Sequence, residues 1–396
     1  MRGQDRLRVS QDWRRPARRG ALAGRDDRGE HMTEVAVIGF TGRRFAEPRG
    51  RPAQTTIVSG CLRCVITPTS AGRLDTYPAP QPICTWNGTR DESHPYHEPT
   101  GISGLVLEEV PDAKPMFCEV VVKVAACGIT HNELDWPIWT CRAGHKRTSV
   151  IPGHEVSGVV AELGFGTAGI AVGDEVFGLT DQLRDGAAAE YVAVEARNVA
   201  PKPQTVDHVH AAAVPRAGLT AWQALFDHGK LAKGQTVVIH GAGGAVGSAA
   251  VQLARWAGAE VIGTGRSHSR PLVTELGADR FVALDADRLE DVAGRADLVF
   301  DTIGGEVLAR SPALLRPGGT LVSVNAAAPP PAGRDDITTV IFIQESSRAQ
   351  LTELARLVDE GQLRPQVGAV YPLAQAAEAY SAKAAGGIPG RIVLQP

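Results

Sequence analysis

A chain of 396 residues, 43% hydrophobic and 21% charged, has an ordinary globular composition with room for two domains and an appendage. Its net charge of −3 argues against nucleic acid or an anionic membrane as the main partner, and no apolar run approaches the roughly 18–20 residues of a membrane span. Six cysteines without regular spacing make no disulfide framework and fit a reducing cytoplasm.

Residues 1–95 differ from everything after them. Arginines crowd the first thirty positions, prolines and glycines punctuate the rest, and only Val35–Phe40 and Thr56–Val65 are apolar. This composition reads as a disordered extension, and a start codon assigned too far upstream would account for it equally well. No apolar segment follows Arg18-Arg19, so the twin arginines make no export signal. Cys61-x-x-Cys64 lacks a good second ligand pair for zinc; Cys84, His94 and His97 are only a loose one.

From about Gly101 the texture changes. Leu105–Val110 and Val120–Val124 are strand-like, and Ala125–Glu133, Ile151–Val160 and Val172–Gly178 continue short β-branched runs separated by Gly, Pro and Asp. Such a pattern predicts a compact, partly open β-barrel.

The most informative stretch is Thr236–Gly247, Thr-Val-Val-Ile-His-Gly-Ala-Gly-Gly-Ala-Val-Gly. An apolar strand breaks into a glycine turn, and a helix is expected from Ser248 to Ala257. Strand, glycine turn and helix in that order form a pyrophosphate site, because glycines admit the anion to backbone N–H groups and the helix N-terminus adds about +0.5 charge. The spacing is Gly241-x-x-Gly244-x-x-Gly247, with Ala245 and Val246 inside it; a strict G-x-G-x-x-G fails at Val246.

Glu260–Gly265 is the expected second strand. A site selective for NAD would end it with a carboxylate; here Gly265 is followed by Arg266, Ser267 and, three residues on, Arg270. A guanidinium forks onto a 2′-phosphate, so the cofactor expected is NADPH, with Arg266 the better placed of the two arginines. Phe281–Leu284, Asp297–Gly304, Thr320–Val324 and Val340–Ile343 supply four further strands, and their alternation with helices implies a doubly wound parallel sheet. Asp301, at a strand end, reads as structural. An amphipathic helix is expected at 348–361, then Val367–Tyr371, an Ala-rich helix at Ala374–Ala384, and Gly390-Arg-Ile-Val-Leu394.

Gly153-His-Glu, Val172-Gly-Asp-Glu-Val176 and Thr220-Ala-Trp-Gln-Ala-Leu225, taken in order with the glycine turn, resemble the medium-chain dehydrogenase/reductase superfamily from about Tyr96 onward. The resemblance implies an α/β fold. A GroES-like β-barrel catalytic domain (96–215, with 344–396 returning to it) would pair with a Rossmann domain (216–343) across an active-site cleft. Zinc members place a cysteine, the Gly-His-Glu histidine and a second cysteine around the metal. At those positions this chain has Thr130, His154 and Arg216, while Cys127 is out of register, and the structural zinc lobe is reduced to Cys141. No metal is therefore expected, and His154 and Glu155 become hydrogen-bonding and barrel residues.

The resemblance narrows to the zinc-free quinone oxidoreductase-like branch, which implies hydride transfer from NADPH to a quinone or an α,β-unsaturated carbonyl. Thr130 and Arg216 are the expected donors to the substrate oxygen; no proton donor stands out, and Tyr191 reads as packing. His131 falls at a position that contacts pyrophosphate, Thr220 belongs to the cofactor set, and backbone groups near Val324 and Phe342 would hold the nicotinamide amide. Family members often pair through the edge strand of the Rossmann sheet, here near Val340–Ile343. A non-catalytic NADPH-binding sensor and a zinc enzyme with altered ligands are the alternative readings.

Overall fold

The computed structural model describes residues 90–93, 101–136, 147, 149–292, 294–325 and 334–396. All of them belong to one compact unit, Pro80–Pro396. The expectations for residues 1–89, including Cys61, Cys64 and Cys84, and those for His94, His97 and Cys141, lie outside the described residues.

Strand β1 (Arg90–Ser93) pairs antiparallel with β2 (Glu108–Pro111). It falls inside the segment read as extension, so paired chain begins ahead of residue 96. Then come β3 (Glu119–Ile129), β4 (Glu155–Leu163), β5 (Glu175–Leu179), β6 (Tyr191–Glu195) and β7 (Val199–Pro201). β3 pairs with β4 along its length; its first half also pairs with β6 and its last residues with β15 (Arg391–Gln395), all antiparallel. Register shifts in the β3–β4 ladder, one between Val124 and Ala126, mark irregularities of the kind that bend a long strand. The inward valines Val120, Val122 and Val156, with Ile129 and Ile392, form the barrel core.

After the barrel, α1 (His208–Ala212) and α2 (Pro215–Trp222) lead into a π-helical turn, Gln223–His228. The second sheet consists of β8 (Thr236–His240), β9 (Glu260–Gly265), β10 (Arg280–Ala283), β11 (Ala296–Asp301), β12 (Leu315–Ser323) and β13 (Thr338–Ile341). Its order is β10-β9-β8-β11-β12-β13 and every pairing is parallel. Strand direction of connection reverses between β8 and β11, the switch point at which such sheets bind ligands. Helices α3 (Ala245–Trp256), α4 (Arg270–Glu275) and α5 (Gly305–Arg310) complete the crossovers. α3 starts three residues earlier than the Ser248 expected, because Gly244 is already its N-cap.

Helix α6 (Arg348–Asp359) opens with Ser347 Oγ accepting from the Gln350 N–H. Its Leu351, Leu354 and Leu357 pack into the core that contains Leu219 of α2 and Leu253 of α3. Residues 344–396 therefore do not return to the barrel as one piece. β14 (Val367–Pro372), α7 (Ala376–Ala385) and β15 do, with β14 parallel to β15. No helix among the described residues is long and apolar enough to cross a membrane.

One contact fixes the helix on the sheet. A Cβ at Gly247 would lie 2.1 Å from the Gly241 carbonyl oxygen and 2.7 Å from Ala242 Cα, both backbone atoms that have nowhere to go. Gly247→Ala should destabilise the protein by about 1–3 kcal/mol in denaturant titration, as overpacking does. An unchanged midpoint would show that α3 can lift off the turn without cost.

Candidate functional site

The glycine turn sits where β8 ends. Gly241 takes a φ of +70°, and a Cβ there would meet Thr302 Oγ1 at 2.4 Å. The Gly244 N–H bonds the Gly241 carbonyl (2.9 Å), and Gly244 caps α3 without any side-chain acceptor. The first-turn N–H groups of Ala245, Val246 and Gly247 are thus placed for an outside anion. A cleft of about 470 Å³ opens beside the turn, lined by Gly241, Gly243, Gly244, Gly265 and Arg266 and, from the C-terminal segment, by Ile388 and Pro389. A backbone bridge between Gly244 and Gly390 holds that last segment in place. Donors, small residues and cavity all suit a dinucleotide.

Other members of the expected cofactor set behave differently. Arg266 is exposed, lines the cleft and has no carboxylate partner among the described residues. The Arg270 guanidinium is held by Asp287 Oδ2 (2.9 Å) and the Phe281 carbonyl (3.1 Å) and stacks on the Phe281 ring. The N–H and hydroxyl of Ser267 both donate to Asp285 Oδ1, at 2.9 and 2.7 Å. Thr220 is buried within α2, and Phe342 is buried against His228, ring centroids 4.5 Å apart. Val324 is half-buried with its N–H on the Asp301 carbonyl. His131 is exposed. Asp301 is structural as expected, accepting from the N–H groups of Ile303 and Gly304 and from Ser323 Oγ.

The second centre lies at the C-terminal end of β3. Glu155, fully buried, ties three segments together: it accepts from the Thr130 hydroxyl (3.3 Å) and from the Arg216 N–H at the start of α2 (3.1 Å), and it is ion-paired with the Arg391 guanidinium of β15 (2.9 Å). Thr130's proton is thereby committed to Glu155, which weakens its expected role as donor to a substrate. The Arg216 guanidinium lies 4.7 Å over the Trp136 ring, touches Gln344 (3.4 Å) and has its Nε unpartnered among the described residues. It opens onto a cleft of about 670 Å³ between Leu179–Gln182 of the barrel and Ile343–Ser346 of the second domain.

His154 stacks on the other partner of this cluster, Trp136, and its Nδ1 is 2.7 Å from Thr180 Oγ1. Burial, reinforced by the positive charges of Arg216 and Arg147, pushes its pKa down to about 3, so the ring is neutral. Burial lowers Arg216 too, opposed by Glu155 and Glu133. The family's three zinc-ligand positions thus present a committed hydroxyl, one neutral imidazole and a guanidinium. That donor set does not fit a dication, which needs three anionic or neutral ligands and an open position. Among the described residues no group of three His, Cys, Asp or Glu side chains is arranged to hold a metal ion.

Glu133, Tyr380, Trp136 and Arg391 escaped the sequence reading. Tyr380 Oη donates to Glu133 Oε1 (2.5 Å) across 247 positions of sequence. The signals available were an arginine inside an apolar strand, Gly390-Arg-Ile-Val-Leu394, and a glutamate in the turn that follows a strand; neither names its partner. Gly243, which lines the cleft, was also passed over.

A class of protein follows from these parts: a dinucleotide-binding enzyme in which a parallel sheet and an antiparallel barrel meet over a buried polar cluster. Residues 118–204 match the alcohol dehydrogenase GroES-like domain and residues 276–394 the zinc-binding dehydrogenase domain. The chain is 32% identical over 311 residues to a probable zinc-binding mitochondrial oxidoreductase of Arthroderma benhamiae, covering 74% of this chain and 93% of that protein. It is 29% identical over 298 residues to 2-methylene-furan-3-one reductase of Solanum lycopersicum, covering 72% and 74%. The solved structure of the quinone oxidoreductase from Coxiella burnetii superposes with a TM-score of 0.71 at 25% identity, covering 78% of this chain and all of that one. The chain belongs to the medium-chain dehydrogenase/reductase superfamily. It is an oxidoreductase, and its family implies a nicotinamide cofactor.

Glu133 makes a pH test. Burial raises its pKa from 4.5 to about 7, against the bonds from Tyr380 and Thr130 and the charge of Arg216. A carboxyl whose folded pKa is raised stabilises below its unfolded pKa, and that stability is lost as pH rises through the folded value. Between about pH 4.5 and 7.5 the wild type should lose roughly 2–3 kcal/mol more than Glu133→Gln in denaturant titration. Parallel pH profiles would show that Glu133 is ionised throughout.

Proposed function

We propose that this chain is a zinc-independent, NADPH-dependent reductase that delivers hydride to a quinone or an α,β-unsaturated carbonyl. The observation that carries it is Arg216: a half-buried guanidinium on the inter-domain cleft, at a position where zinc members carry a ligand, with a donor nitrogen unpartnered among the described residues. Relatives named quinone oxidoreductase, from Rattus norvegicus, and alkenal/one oxidoreductase, from Arabidopsis thaliana, support the substrate class.

When bound, the nicotinamide supplies the hydride. The protein's own part is to bind, orient and stabilise. First-turn N–H groups of α3 hold the pyrophosphate, and Arg266 forks onto the 2′-phosphate. Hydride addition to an enone or quinone leaves negative charge on the carbonyl oxygen, and Arg216 is the group that meets it. Trp136 fixes the guanidinium plane, and Glu155, by holding the Arg216 N–H, fixes the start of its helix. A cation in a site shielded from water is worth far more to that developing charge than in solvent. The exposed outer edge of β13 supports a homodimer formed through that strand.

Two measurements test the proposal. NADPH oxidation against a panel of quinones, enals and enones should show turnover with at least one; none anywhere would remove the catalytic reading in favour of a sensor. Arg216→Gln should then lower kcat about 10²–10³-fold, with Arg216→Lys retaining part of the rate. Equal kcat in all three proteins would show that Arg216 only pins its helix.

A further inference from the structure

Two opposite charges flank the ribose end of the cofactor cleft. β9 and β10 are parallel neighbours with Gly265 opposite Ala283, and the Leu284 N–H donates to the Gly265 carbonyl (2.8 Å). Arg266 therefore leaves β9, and Asp285 leaves β10, side by side, and both line the same cleft. Asp285 is not free to swing away, because its Oδ1 accepts both the N–H and the hydroxyl of Ser267. Arg270 is occupied by Asp287 and the Phe281 carbonyl rather than by Asp285. Asp287 and His268, the latter also on the cleft wall, are titratable neighbours of Asp285 among the described residues.

We propose that Asp285 is a specificity-determining residue that works against Arg266. Its fixed carboxylate repels a 2′-phosphate and offers an acceptor to a free 2′-hydroxyl, so the site's preference for NADPH is held down and NADH remains a usable cofactor. Selectivity in Rossmann sites is ordinarily read at the exit of the second strand. Here the exit of the third strand contributes the opposing charge. The assignment rests on the reading of this cleft as a nicotinamide dinucleotide site.

The test is fluorescence titration of the full-length protein with NADPH and with NADH. In Asp285→Asn the side-chain carbonyl can still accept from Ser267 while the charge is gone. The ratio of NADPH to NADH affinity should rise about fivefold, the effect of removing one like charge at the separation of two neighbouring strand exits. Asp285→Ser, small and neutral, should raise it as well. Because the repulsion acts through solvent, the gain should shrink toward unity when salt is raised from about 0.05 to 0.5 M. A ratio unchanged or lowered in both variants overturns the assignment, as does a gain that salt leaves intact. If the wild-type protein binds neither dinucleotide, the reading of the cleft fails first and the role of Asp285 falls with it; wild-type binding with an unmoved ratio defeats Asp285 alone.

Discussion

A single buried carboxylate organises the molecule. Glu155 is shut away from water, and a charge in that position is tolerated only when it is paired and hydrogen-bonded. Its partners come from three distant parts of the chain: Thr130 at the end of β3, Arg391 near the C-terminus, and the backbone of Arg216 where the helix leading to the second domain begins. Removing one partner of such a pair costs on the order of 3–5 kcal/mol, since the other is left charged and unsolvated. The carboxylate therefore closes the barrel with its last strand and aims the entry helix of the parallel sheet.

The chemistry of the cleft follows from the same anchor. With its backbone held by Glu155 and its side chain stacked on Trp136, Arg216 presents fixed positive charge between the domains. Glu155 is shared with Arg391, and the other neighbours of Arg216 add little opposing charge. Burial keeps His154 neutral, and the raised pKa of Glu133 means that much of this carboxyl is protonated near pH 7. Burial also pushes the Cys127 thiol well up, so no thiolate forms beside the cluster. A guanidinium thus stands at a position where zinc members carry a ligand, and it needs no ligand set to stay charged.

The strand, glycine turn and helix at 236–256 were legible because their signal is local: a β-branched run, glycines at set intervals and an apolar helical stripe. That the second sheet is parallel and doubly wound was legible for a similar reason, from the alternation of strands and helices. What escaped was decided by partners far away in sequence. Arg270 and Ser267 look like phosphate ligands beside Arg266, yet Asp287 and Asp285, some eighteen residues on, claim them through the fold. Tyr380 and Glu133 meet only because α7 comes back over the barrel. Nor does an amphipathic pattern say which core a helix joins, and α6 packs with α2 and α3 although the strands after it return to the barrel.

Whether a guanidinium replaces a metal in this cleft can be read from the metal content of an active preparation. Protein that oxidises NADPH with a quinone or enone should contain less than roughly 0.2 zinc per chain, because two of the three ligand positions carry no usable ligand, and its rate should be indifferent to chelators. Near-stoichiometric zinc, with turnover lost on its removal and regained on its return, would contradict the account.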